Sequence, residues 1–302
     1  LFGREVESFN EDWKFSPVRA VSFGWGGTRA AQQNVTLPHT WNAEDFMNDE
    51  GYRRGYGTYT KTFDVPDEYR GKRVFIKFEG AGSMATVLVN NNIVGDHKGA
   101  YNSFTFEITK YLKIGTSNTI SVVCNNEQQF DIAPQGGDFN IYGGLYRDVW
   151  LEVMEPQCIS PLYFSSNGVL IHQNVVNEKH AELGVDVYLL TLSDYQGCEV
   201  VFTLEDAEGK VVAKKSSTAV NNDRARCFVG LNNPHLWNGK SDPYLCTLVY
   251  VRTQVYHADH QRSHIQRRAD CRRDDPSVDD GIGKQREDPE QNKGQTKGTQ
   301  QA

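Results

Sequence analysis

Residues equipped to bind a ligand gather in one stretch, Gly136-Gly137-Asp138-Phe139-Asn140-Ile141-Tyr142-Gly143-Gly144-Leu145-Tyr146-Arg147-Asp148-Val149-Trp150. Its glycines let the backbone take positive φ and approach other groups closely. Asp138 is the candidate binding residue, because an acid held in a loop on a rigid scaffold sits where binding residues collect. The bland alternative is an aspartate that only closes its own turn. Arg147, nine residues on, reads as a brace that pairs with a carboxylate or a backbone carbonyl, and Gly143 and Gly144 shape the turn it holds.

His257, His260, His264 and Cys271 have the composition of a metal cluster. They lie in a region without the apolar residues needed to hold a preformed site, so no metal site is read there. No cofactor motif is read either. Six cysteines (Cys124, Cys158, Cys198, Cys227, Cys246, Cys271) follow neither a disulfide framework nor zinc spacing, and read as small apolar residues on strands. Asn34-Val35-Thr36 fits a glycosylation acceptor, a triplet that often arises by chance.

The elements that position the loop are strands. Trp13–Phe15, Thr58–Val65, Arg73–Glu79, Ala85–Val89, Ser103–Ile108, Thr119–Cys124 and Tyr146–Val153 are expected as strands, with Val74, Ile76 and Phe78 on one face of theirs. Turn residues punctuate them, and Ile108–Leu112 allows one helical turn at most. After Glu155-Pro156 the pattern resumes at Val169–His172, Glu182–Leu192, Glu199–Glu205, Lys210–Lys215, Ala225–Leu231 and Tyr244–Val251. The expectation is an all-β chain: a sandwich over residues 1–155, then an immunoglobulin-like sandwich over 156–251.

From Arg252 to Ala302 aliphatic residues nearly vanish, and such a segment cannot offset its ordering entropy by burial. Residues 252–302 are therefore expected to be a disordered tail. The break falls mid-strand, at Leu248-Val249-Tyr250-Val251, so the tail reads as frame-shifted, leaving the second sandwich without its last strand.

The net charge is −7, which argues against a nucleic-acid partner. No run approaches the roughly 18 unbroken apolar residues of a membrane span. No signal-like start precedes Leu1-Phe2-Gly3-Arg4, and the compartment stays open, with a periplasmic or secreted setting compatible.

An ordered set of segments carries a family resemblance: Asn10-Glu11-Asp12-Trp13-Lys14-Phe15, Leu37-Pro38-His39-Thr40-Trp41-Asn42, Gly57-Thr58-Tyr59, Val87-Leu88-Val89-Asn90, the Asp138–Arg147 loop, Gly168-Val169-Leu170-Ile171-His172 and Pro234-His235-Leu236-Trp237-Asn238 with Asp242-Pro243-Tyr244-Leu245. From about residue 8 to 251 the chain resembles glycoside hydrolase family 2, the family of β-galactosidases, β-glucuronidases and β-mannosidases. The resemblance implies a jelly-roll (galactose-binding-like) domain, an immunoglobulin-like domain and a TIM barrel. In such a retaining enzyme the barrel holds two glutamates whose carboxyls lie about 5–5.5 Å apart. No catalytic residue is assigned here, because the chain ends before that barrel would begin.

The resemblance also implies that Asp138 touches the sugar next to the cleaved bond, a carboxylate accepting hydrogen bonds from vicinal hydroxyls. It places a second lip residue at Arg54, with Arg53 as the rival. Tyr101-Asn102-Ser103-Phe104, His97, Trp41 and Trp237 read as core aromatics and their neighbours. Asn126-Glu127 and Asn177-Glu178 imitate the family's acid/base dipeptide but fall after a strand and in a turn, and are rejected. The implied role is a non-catalytic N-terminal region that shapes the barrel mouth for a β-glycoside and supports oligomer contacts. A free-standing carbohydrate-binding module and a fragment without autonomous function are the alternatives.

Overall fold

The computed structural model describes residues 4–18, 32–45, 47, 52–133, 142–190, 198–217, 220–221, 224–254 and 295–301. It divides into two units, Arg4–Met154 with Pro161–Ser166, and Glu155–Ser160 with the described residues from Asn167 onward.

In the first unit the strands are β1 (Glu5–Ser8), β2 (Trp13–Val18), β3 (Gln33–Val35), β4 (Tyr56–Val65), β5 (Arg73–Phe78), β6 (Met84–Val89), β7 (Asn92–Lys98), β8 (Phe104–Glu107), β9 (Thr116–Asn125) and β10 (Val149–Met154). Single 3₁₀ turns occupy Asp67–Tyr69 and Thr109–Tyr111. Four strands form one sheet in the order β1-β10-β5-β8, and six form the other in the order β3-β2-β4-β9-β6-β7.

Period-two alternation explains the core. Val74, Ile76 and Phe78 of β5 are fully buried, as are Val87 and Val89 of β6 and Ile120, Val122 and Cys124 of β9. The β6–β9 register sets Val87 opposite Val122 and Val89 opposite Ile120, so both strands send the same face inward. Trp13, Tyr59 and Leu145 fill the same core.

The second unit contains β11 (Cys158–Ile159), β12 (Val169–Val176), β13 (His180–Leu190), β14 (Cys198–Glu205), β15 (Val211–Ser217), β16 (Val220–Asn221), β17 (Arg224–Asn232), β18 (Thr247–Gln254) and β19 (Gln295–Gln301). One sheet runs β11-β13-β17-β16 with β12 also on β13, and the other runs β15-β14-β18-β19. Val185, Val187 and Leu189 of β13 face Val200, Phe202 and Leu204 of β14 across an aliphatic core.

Two features differ from the sequence reading. The strand expected to end at Val251 continues to Gln254, and β19 pairs with it antiparallel from Thr247↔Gln301 to Thr253↔Gln295. The edge expected to be open is thus occupied by seven residues of the segment read as without structure. Gln295–Gln301 joins the sheet through a backbone ladder, which leaves no hydrophobic pattern in the sequence. Residues 255–294, with the histidines and Cys271 noted above, lie outside the described residues.

Strands β1, β3, β7, β11 and β16 were not anticipated. They are short or polar, and β7 in particular is an edge strand of Asn, Gly, Asp, His and Lys around Ile93 and Val94. Cys124, Cys158 and Cys227 are buried within strands, and burial pushes the Cys227 thiol up to about 12.

Candidate functional site

The pairing Tyr56↔Asn125 brings the start of β4 and the end of β9 together, so Arg53, Arg54 and Asn126 meet at one end of the six-stranded sheet. A polar hub closes that end. Asn42, 2% exposed, donates from Nδ2 to the Arg53 carbonyl at 2.7 Å and to the Asp45 carboxylate. Its Oδ1 accepts from the Gly143 amide at 2.7 Å and from Asn126 Nδ2 at 3.1 Å. Asn126, wholly buried, also accepts from the Gly55 amide at 2.9 Å. Two asparagines therefore tie three chain segments together, and each amide uses both its donor and its acceptor side.

The two arginines part company at this hub. Arg53 donates Nη2 to the Trp41 carbonyl at 2.9 Å, while its backbone amide donates to Asp45 Oδ2 at 2.8 Å. Among the described residues Arg54 donates to the Asn126 carbonyl, at 3.3 Å, and lies 5.4 Å from the Tyr52 ring centroid. Arg54 has no carboxylate partner among the described residues. With five donors in a fixed fork, most of its hydrogen-bonding capacity is uncommitted among the described residues.

Gly143 and Gly144 are dictated by contact. A Cβ on Gly143 would fall 1.9 Å from Trp41 Cζ2. Gly144 has φ +107, and a Cβ there would meet the Tyr59 hydroxyl at 2.2 Å. Trp41, 8% exposed, stacks on Phe15 with ring centroids 5.7 Å apart and so forms the floor below Gly143. The Leu145 carbonyl accepts from the His39 amide at 2.8 Å, and His39 Nδ1 lies 2.7 Å from the Tyr59 hydroxyl. Burial, then the nearby Arg53 charge, holds His39 below its ordinary pKa, and burial raises that of Tyr59. Arg147 Nη1 donates to the carbonyls of Tyr101 at 3.3 Å and Glu79 at 3.4 Å, and its guanidinium lies 5.4 Å from the Tyr146 ring.

Asp138 lies outside the described residues, so of the sequence-derived candidates the structure brings Arg54, Gly143 and Gly144 to this end and sets Arg147 beside Tyr101. Asn42 and Asn126 were missed as structural keystones. Asn42 lies in a segment that carries the family resemblance, and Asn126 reads in the sequence only as half of an Asn-Glu dipeptide; nothing in the spacing of 42, 126 and 143 signals that they meet. Two aromatics read as core are not. Tyr101 is 49% exposed and Trp237 is 63% exposed, although Phe104 and Trp41 are buried. Among the described residues no group of three or more His, Cys, Asp or Glu is placed to hold a metal ion, and no helix is long and apolar enough to cross a membrane.

Residues 7–155 match the family model for the sugar binding domain of glycosyl hydrolases family 2. The chain belongs to glycosyl hydrolase family 2. It is 39% identical over 241 residues to a beta-glucuronidase of Bacteroides fragilis, covering 78% of this chain and 34% of that protein. It is 38% identical over 170 residues to a beta-galactosidase of Thermoanaerobacter pseudethanolicus, covering 54% of this chain and 22% of that one. Among solved structures, a putative beta-galactosidase from Bacteroides fragilis superposes with a TM-score of 0.76 at 36% identity, over 83% of this chain and 39% of the other. The chain thus spans about a third of the length of such family 2 relatives, over their N-terminal, non-catalytic part. Relatives of similar identity carry names for different sugars.

Proposed function

We propose that this chain is the mouth-shaping part of a retaining β-glycosidase acting on β-glucuronides or β-galactosides, with the carboxylates of hydrolysis supplied from outside residues 1–302. In this reading Arg54 and Asp138 reach the sugar, Arg53 and Arg147 hold the two loops, and the barrel of the family completes the site. Residues 1–155 are its jelly-roll domain and residues 156–251 its immunoglobulin-like domain. The single observation that carries the reading is the Asn42–Asn126–Gly143 hub: it fixes the loop bearing Arg54 to the segment that follows Asp138. A rigid frame of this kind places a ligand-binding cation without reorganisation when the ligand arrives.

The test has two arms. The purified 302-residue chain is expected to show no hydrolysis of 4-nitrophenyl β-D-glucuronide or β-D-galactoside above a mock preparation. A fusion that places residues 7–251 in the aligned segment of the Bacteroides fragilis beta-glucuronidase is expected to retain turnover. Hydrolysis by the chain alone would overturn the reading, as would a well-folded fusion that is inert.

A further inference from the structure

A second ligand-sized feature lies within the first unit, away from the Asn42 hub. A groove of about 910 Å³ runs along β5 and β8, walled on one side by the segment from Leu162 to Ser165. That volume falls in the range of ligand pockets, roughly 300–1,000 Å³.

Its rim is unusual in what it leaves exposed. Phe164 is 83% exposed and has φ +46, a left-handed conformation that a bulky residue seldom takes. Its backbone is held there: Ser166 donates from its amide to the Tyr163 carbonyl at 3.0 Å, and the Ser165 and Thr105 hydroxyls lie 2.6 Å apart. Neither burial nor backbone preference accounts for a phenylalanine at this point. Across the same groove Tyr101 presents a half-exposed ring.

Two cations stand in the polar lining. Lys77 and Arg147 both line the groove, and neither has an ion-pair partner among the described residues. Arg147 spends one nitrogen on two carbonyls and keeps its other donors. Glu79, the carboxylate of the lining, accepts from Trp150 Nε1 at 2.9 Å, leaving its second oxygen for a hydroxyl.

We propose that this groove binds an oligosaccharide bearing a carboxylate, its rings against Phe164 and Tyr101 and its carboxylate between Lys77 and Arg147. Rings with a polar edge suit aromatic faces, and a carboxylate suits an arginine fork beside a lysine. The carbohydrate class rests on the sugar-binding family match, which spans Lys77, Glu79, Tyr101 and Arg147. The proposal uses neither Arg54 nor Asp138, so it and the mouth reading can fail separately.

The test titrates the full 302-residue chain with aldotetraouronic acid, a glucuronate-bearing xylo-oligosaccharide, and with neutral xylotetraose, by calorimetry. The acidic sugar is expected to bind with a Kd of about 1 mM, and the neutral one about tenfold more weakly. Phe164→Ala and Lys77→Gln are each expected to weaken the acidic sugar about tenfold, with thermal unfolding unchanged because Phe164 is exposed and Lys77 has no ion-pair partner among the described residues. No heat with the acidic sugar at about 20 mM overturns the proposal and assigns Phe164 to contact with protein instead. Equal binding of the two sugars, or full binding by both variants, overturns it as well.

Discussion

Two clusters of buried polar groups, one in each domain, are tied in different ways. In the first, Asn42 and Asn126 sit where strands end, and their partners are loop backbone: the Arg53 carbonyl and the Gly55 and Gly143 amides. In the second, Asp186 sits mid-strand, 1% exposed, and its partners are side chains on neighbouring strands. Arg226 grips both its oxygens at 2.5 Å, with His172 at 3.4 Å and Arg224 at 3.8 Å. These groups span β12, β13 and β17, and Asp186 lies directly opposite Arg226 in the register. Amides at strand ends fix loops, whereas a charge cluster across a sheet fixes register, since a one-residue slip would send each member to the other face. The Asn42–Asn126 cluster ties loops, and the Asp186 cluster ties strands.

The largest effect that separates them is expected at Gly143. Gly143→Ala forces a methyl into Trp41 and is expected to cost the first domain about 3 kcal/mol, with the second domain's calorimetric transition unmoved. Movement of both transitions together would break the comparison.

Asn42→Ala comes next. It removes the acceptor of the Gly143 amide, one of the two acceptors of Asn126 Nδ2 and a donor to the Arg53 carbonyl, and is expected to cost about 2 kcal/mol, again in the first transition only. Amide exchange should quicken at Gly143 and Gly55 before it does in the sheet.

Asp186→Asn should act on the other side of the comparison, costing the second domain about 1.5 kcal/mol through its charge-assisted bonds to Arg226.

The smallest effect is a difference in acid response. Hydrogen bonding to Arg226 holds the Asp186 carboxyl below the usual range, so its stabilisation is present above about pH 4, the unfolded value, and is lost as pH falls through the lower folded value. His39 and His97 are held below their ordinary value by burial, so the unfolded chain takes up protons first as pH falls below about 6.5. The first domain should therefore begin to soften as pH falls below about 6.5, and the second only below about 4, with Asp186→Asn removing much of the latter slope. Melting curves collected across that range check both halves.

How much of this was legible beforehand follows from how each feature is encoded. Alternation such as Val74-Phe75-Ile76-Lys77-Phe78 announces a strand, and the described fold is nearly all strand with two sandwich cores, as the pattern implied. Edge strands such as Gln33–Val35 and Gln295–Gln301 are held by backbone ladders, so their side chains carry no signal. The loop glycines were legible because few other residues permit such close approach, but the partner that demands Gly143, Trp41, lies about a hundred positions away. The Asn42–Asn126 contact is equally long-range, and a lone asparagine looks the same in a turn as in a hub. The different side-chain partners of Arg53 and Arg54 needed coordinates, since nothing in two adjacent arginines signals where their carbonyl partners fall.

The role proposed for Arg54 is where the account is tested most directly. In the fusion with the Bacteroides fragilis relative, Arg54→Gln and Arg53→Gln are compared for KM and for first-domain melting. The account predicts that Arg54→Gln raises KM by about tenfold and leaves melting unchanged, while Arg53→Gln lowers melting and leaves KM near its starting value. An unchanged KM in Arg54→Gln, or the reverse assignment of the two arginines, would contradict it.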